Sequence, residues 1–98
     1  MATLDAGQIA AKLAALPGWE HHGDSIRKRY QFKEFMDAIR FVEKVAGIAE
    51  AGDHHPDILI NYRRVTFTCS THSAGGVTGK DFRLVASIEA AYNSARGE

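Results

Sequence analysis

The chain has 98 residues and carries 12 Lys+Arg against 12 Asp+Glu, so its formal charge is zero with its five histidines counted neutral. That length holds one domain, residues 1–98, and a composition 45% hydrophobic and 24% charged is globular, neither disordered nor fibrous. Zero net charge removes the electrostatic drive towards nucleic acid, and no stretch approaches the roughly 18 apolar residues of a membrane span, so neither partner is expected.

Asp5-Ala-Gly-Gln8 reads as a helix entrance, since an aspartate oxygen accepts an orphan N–H while a glutamine three residues on reaches back. Ile9, Leu13 and Leu16 continue at helical spacing until Pro17-Gly18. Trp19 to His22 then predicts a short strand turning at Gly23-Asp24, and Ser25 to Phe32 a second strand with Ile26, Tyr30 and Phe32 on one face. Lys28 is the misfit on that face. From Lys33 to about Glu50, the spacing of Phe35, Ile39, Val42 and Val45/Ala46 predicts a long helix, which Gly52 should end in a left-handed cap before Pro56. Strands follow at Ile58 to Tyr62 and Arg64 to Ser70, the latter with Val65, Phe67 and Cys69 inward. After a loop from His72 to Val77, Thr78 and Asp81 cap a last helix carrying Leu84, Val85, Ile88 and Tyr92, with Ala95 to Glu98 as a frayed tail. The expected fold class is α+β: a four-stranded antiparallel sheet with three helices packed on one face, in the order α-β-β-α-β-β-α.

His54 and His55 stand in the loop before one predicted strand and His72 just after the next. If those strands form a hairpin, all three histidines meet at one sheet end, where imidazoles can both accept and donate protons near neutral pH. The alternative for each is a solvated loop residue, and His21 and His22 beside their turn are read that way. Three histidines can also hold zinc, but sequence-adjacent rings diverge and no HxH or HxxxH spacing helps, so no metal is expected. Ala74-Gly-Gly-Val-Thr-Gly-Lys-Asp81 fails as a phosphate loop at its first glycine and at the Ser/Thr after lysine. Ser70 and Ser73 lack a nucleophile elbow, and Cys69 faces inward as a small core residue. Asp81 is either a dipole-compatible acid at a helix start or a group that orients and charges His72.

Asp53-His54-His55-Pro56, then Tyr62 and Val65, then Ser70-Thr71-His72, Gly76-Val77-Thr78 and Asp81 together resemble the pterin-4a-carbinolamine dehydratases, a match that takes in Gly18-Trp19, Phe32-Lys-Glu-Phe35, Val45-Ala46 and Ala49-Glu50. The resemblance implies dehydration of a 4a-hydroxytetrahydropterin to the quinonoid dihydropterin, the recycling step after aromatic amino acid hydroxylases, without a cofactor. It implies a catalytic group of His54, His55, His72 and Asp81, and pterin contacts from Asp53, His54, His55, Ser70, Thr71, His72 and Ser73. Acid and base roles stay open; the working assignment makes His55 the base and His54 the proton donor, with His72 shaping and polarising the site. Many relatives carry tryptophan where this chain has Ile58 and glutamate where it has Ser73, changes that bear on pocket packing rather than reaction class.

The rival reading is a binding module of the same fold. Animal members serve as dimerisation partners of a homeodomain transcription factor, and some bacterial relatives are assembly factors for carbon-fixing enzymes. Retention of all three histidines favours catalysis. A last-helix face with Phe82, Val85 and Tyr92 suggests apolar surface seeking cover, hence a homodimer or homotetramer. One cysteine, no CxxC or CxxH pairing and no signal-peptide pattern suggest the cytoplasm.

Overall fold

In the computed structural model, which describes residues 2–96, two hairpins build the sheet. Strand β1 (Glu20–His22) turns into β2 (Ser25–Gln31), and β3 (Asp57–Asn61) into β4 (Arg64–Cys69). All pairings are antiparallel and the order is β1-β2-β4-β3, so β2 and β4 are central. Helices α1 (Ala6–Leu13), α2 (Phe35–Ala51) and α3 (Gly79–Arg96) complete the expected α-β-β-α-β-β-α order. Of the predicted tail, Ala95 and Arg96 continue α3, while Gly97 and Glu98 lie outside the described residues.

Alternation along the central strands decides which face the helices cover. Ile26, Tyr30, Val65, Phe67 and Cys69 are buried, whereas Arg27, Arg29, Gln31 and Arg64 point to the open face. The buried set joins Ile9, Trp19, Phe41, Val45, Val85 and Ile88 in one core. The Asp5 capping box on α1 forms as expected, Asp5 accepting from the Gln8 N–H at 2.8 Å.

Lys28, the misfit, is resolved by its partner. Its ammonium lies 2.8 Å from Glu89 of α3 and 4.6 Å from the Tyr30 ring centroid. Its stem crosses Gly18, where an added Cβ would come within 2.8 Å of Lys28 Cε. The same Glu89 oxygen accepts from Trp19 Nε1 at 3.1 Å and from the Tyr30 hydroxyl in a short bond. Burial and the Glu89 carboxylate together hold the Tyr30 phenol above its ordinary range.

Three expectations need correction. The buried stripe of α2 is Ala38, Phe41, Val45 and Ala49, and Phe35 is exposed. The 3.6 period of the sequence holds, but a phase that starts at Phe35 does not, because Phe35 stacks on Tyr62 near the surface. Gly52 is right-handed (φ −88°), and the left-handed residue is Asp53 (φ 51°). On α3, Val85 is fully buried and Phe82 and Tyr92 pack partly against the core, so that helix does not supply the open apolar surface. That surface lies on edge strand β3, where Ile58, Leu59 and Ile60 are 37%, 58% and 39% exposed.

Candidate active site

The C-terminal turn of α2 sets the first two histidines. The Asp53 N–H donates to the Glu50 carbonyl at 3.2 Å and the His54 N–H to the Ala49 carbonyl at 3.1 Å. These two bonds, with a left-handed residue between helix and loop, are a Schellman cap. Aspartate tolerates that conformation better than most residues because its short polar side chain is locally compatible with it. The cap directs His54 back towards α3 and leaves His55 over the end of α2.

Across the cavity, β4 ends at Cys69 and the chain enters a 3₁₀ turn at His72–Ala74. Gly75, at φ 77°, lets that turn reverse, and Thr71 pairs with Gly76 to close the loop. The register Asp57↔Thr68 puts the start of β3 beside the end of β4. The loops that precede and follow this hairpin therefore share one sheet end. Asp53, His54, His55, Ser70, Thr71, His72 and Ser73 all line one open cavity of about 280 Å³, together with Lys80.

Asp81 sits fully buried behind this cavity. One carboxylate oxygen meets His54 Nε2 at 2.7 Å; the other accepts from the Thr71 hydroxyl at 2.8 Å and the Thr78 N–H at 2.9 Å. Thr71 has a single hydroxyl proton, so its 2.8 Å contact with Thr78 is one in which Thr78 donates. An ionised carboxylate can only accept, which puts a proton on His54 Nε2 and leaves Nδ1 as the nitrogen not committed to Asp81. Asp81 thus engages His54, not His72 as the sequence suggested. The bend of the loop that turns His54 inwards, and so gives Asp81 this partner, carries no local signal in the sequence.

His55 Nε2 lies 2.7 Å from Glu50 Oε1, with both side chains more than half exposed. Glu50 belongs to the sequence motif, and its place in the last helical turn before the histidine pair is the signal for this contact. His72 is exposed at the opposite rim. Ser70 gives its hydroxyl to the Asp24 carbonyl at 2.8 Å, which ties the end of β4 to the β1–β2 turn. Burial, followed by the negative charges of Asp81 and Asp57, pushes the Cys69 thiol up to about 12, so it stays a neutral core group. His21 bonds the Gly23 carbonyl and His22 bonds Glu20, both away from the cavity. A larger cavity of about 500 Å³ at the other end of α2 is lined by Phe32, Phe41, Tyr92, basic side chains and Asp37, and no histidine lines it.

The chain is an α-β-β-α-β-β-α sandwich with three imidazoles at one sheet end and a buried carboxylate behind them. Comparison with known proteins makes this specific. Residues 2–91 match the family model described as pterin 4 alpha carbinolamine dehydratase, and the chain belongs to that family. A relative from Mycobacteroides abscessus, named for pterin-4-alpha-carbinolamine dehydratase, is 52% identical over 91% of this chain and 95% of its own length. One from Sulfolobus acidocaldarius with the same name is 42% identical over 87% and 93%. The crystal structure of a transcriptional coactivator/pterin dehydratase from Brucella melitensis superposes with a TM-score of 0.87 at 34% identity, covering 91% of this chain and 97% of that one. A pterin dehydratase-like protein described as a RuBisCO assembly factor of the alpha-carboxysome shares the fold, with a TM-score of 0.62 at 18% identity over 74% of this chain and 84% of that one. Among the described residues no helix is long and apolar enough to cross a membrane.

Proposed function

We propose that this protein is a hydro-lyase that converts a 4a-hydroxytetrahydropterin to the quinonoid dihydropterin and water, in pterin recycling in the cytoplasm. The observation that carries this reading is the cavity rimmed by His54, His55 and His72, in which two rings are each held by a carboxylate at 2.7 Å. The elimination is redox-neutral. As the C4a–O bond breaks, the N5 lone pair forms the C4a=N5 double bond; the departing hydroxyl takes a proton and N5 gives one up.

His54 is the proton donor in this scheme. Asp81 fixes its tautomer and offsets the charge of its protonated ring, so Nδ1 can deliver a proton to the 4a-hydroxyl. His55, exposed and steadied by Glu50, accepts the N5 proton, and His72 polarises the bound ring from the far rim. Backbone groups of Ser70 to Ser73 take the pyrimidine edge, with Asp53 beside them. Positioned acid–base groups of this kind contribute on the order of 10² to 10⁴-fold in rate.

The test is the rate of dehydration of 4a-hydroxytetrahydropterin, generated in situ by a hydroxylase and followed by absorbance. Acceleration that His55→Ala or His72→Ala weakens is the expected result. A wild-type rate equal to buffer overturns the reading and directs attention to a protein-binding role. The chain is also proposed to form at least a homodimer, with the unpaired edge of β3 and its exposed Ile58, Leu59 and Ile60 as the supporting surface. A monomeric mass by light scattering at micromolar concentration overturns that part.

A further inference from the structure

A second cavity, about 220 Å³, adjoins the first. It lies between the last turn of α2 (Ile48, Gly52) and the first two turns of α3 (Lys80, Arg83, Leu84), with His54 in its wall. His54 and Lys80 line both cavities, so the spaces meet at the imidazole proposed as proton donor. Their electrostatics differ. Asp53 faces the first cavity, whereas the second is lined by Lys80 and Arg83 and by no acidic side chain. Lys80 and Arg83 are exposed, and among the described residues neither side chain has an ion-pair partner. Asp81 is engaged by His54, Thr71 and Thr78 and Glu50 by His55, while the Asp53 carboxylate shares the first cavity, not the second, with Lys80. Two unneutralised cations one helical turn apart, over an apolar wall of Ile48 and Leu84, form a surface suited to an anion on an organic stem.

Resting on the catalytic reading above, we infer that Lys80 and Arg83 form a specificity subsite for an anionic substituent, phosphate ester or carboxylate, on the pterin C6 side chain. The chemistry of the ring orients this inference. With the pyrimidine edge on Ser70 to Ser73 and the reacting N5–C4a bond at His54 and His55, C6 is the next atom beyond N5. Its substituent leaves the ring on the side away from Ser70 to Ser73. The Lys80–Arg83 cavity meets the first one at His54 and Lys80, which puts it within reach of that substituent.

The experiment is a fluorescence titration of the full chain with three oxidised, unreactive pterins: 6-hydroxymethylpterin, its phosphate ester and pterin-6-carboxylate. The phosphate ester or the carboxylate is expected to bind about tenfold or more tightly than the neutral alcohol at low salt, a preference that shrinks as salt screens it. Arg83→Ala should bring that ratio towards one, and Arg83→Lys should keep part of it. Which anionic probe shows the preference identifies the substrate class. Equal affinities for neutral and anionic pterins, or a preference that Arg83→Ala leaves intact, overturn the subsite while the pterin reading stands. Binding of none of the three at millimolar concentration overturns both.

Discussion

Asp81 and Glu89 sit on the same helix and each draws three donors onto its carboxylate, yet the two centres are built for different ends. Asp81 is fully buried and is met by His54, Thr71 and the Thr78 N–H at the wall of a solvent cavity. Glu89 takes Lys28, Tyr30 and Trp19 with no histidine among them. A carboxylate compensated by a fixed cation joins helix to sheet. A carboxylate compensated by an imidazole defines a tautomer and leaves the other ring nitrogen free to exchange protons. Burial alone does not separate the two acids; the chemistry of their partners does.

The largest effect is expected from cutting the pair at the cavity. His54→Ala and Asp81→Asn should each lower the dehydration rate by about 10² to 10³-fold, within the range that one positioned acid–base group supplies. Because the two act as one unit, the double variant should lose little more than either single one. Additive losses in the double-mutant cycle would separate Asp81 from His54.

Glu89→Gln should move stability instead. Removing one partner of a buried ion pair costs about 3–5 kcal/mol, and the residual exposure of Lys28 and Glu89 (17% and 15% of their side chains) lowers the expectation to about 2–3 kcal/mol. The rate per folded molecule should hold. Burial pushes the Glu89 carboxyl up, but the hydrogen bonds from Lys28, Tyr30 and Trp19 outweigh it and leave it below its ordinary 4.5. A depressed carboxyl stabilises the fold above 4.5, and that contribution disappears as pH falls through the folded value. The gap between wild type and Glu89→Gln in urea melts should therefore be full at pH 7 and narrow below about pH 4.5. A gap that widens in acid would contradict the ion pair.

The same contrast explains what could be read from the chain beforehand. Strand alternation in Val65, Phe67 and Cys69 and the Asp5–Gln8 capping box are local signals, and they carry the inward faces and the first helix start. The meeting of His54, His55 and His72 followed from hairpin topology, since loops before and after a hairpin share an end. What stayed hidden depends on contacts distant in sequence. Lys28 reads as a misfit because Glu89 lies 61 positions away, and Asp81 reads as a partner for the nearer His72 because only the left-handed turn at Asp53 swings His54 into place. The phase error in α2 has the same origin. Exposure of Phe35 and burial of Phe41 are set by which helix face meets β4, a tertiary choice that a 3.6 period does not make.

Thr71→Val probes the layer behind the His54–Asp81 pair. It keeps the shape and deletes the hydroxyl that reaches Asp81 and Thr78, leaving buried polar atoms unsatisfied at a cost of about 1–3 kcal/mol. Loosening Asp81 should also slow dehydration about tenfold, a smaller loss than removal of the acid itself. Thr71→Ser, which restores the hydroxyl, should recover the rate more fully than the stability. Recovery of neither would mean that the methyl group, not the hydrogen bond, is what Thr71 contributes.

The smallest effect is expected at the exposed counterpart of Asp81. Glu50 approaches His55 as closely as Asp81 approaches His54, but its side chain is 81% exposed against 0% for Asp81. Water and salt screen an exposed pair, so the bond steadies the His55 ring without strongly changing its energetics. Glu50→Gln should lower the rate only about twofold to threefold, with the deficit shrinking further at high salt, where the wild-type pair is itself screened. A loss as large as that of Asp81→Asn would mean that the bound pterin seals this rim from water and turns the outer pair into a second buried one.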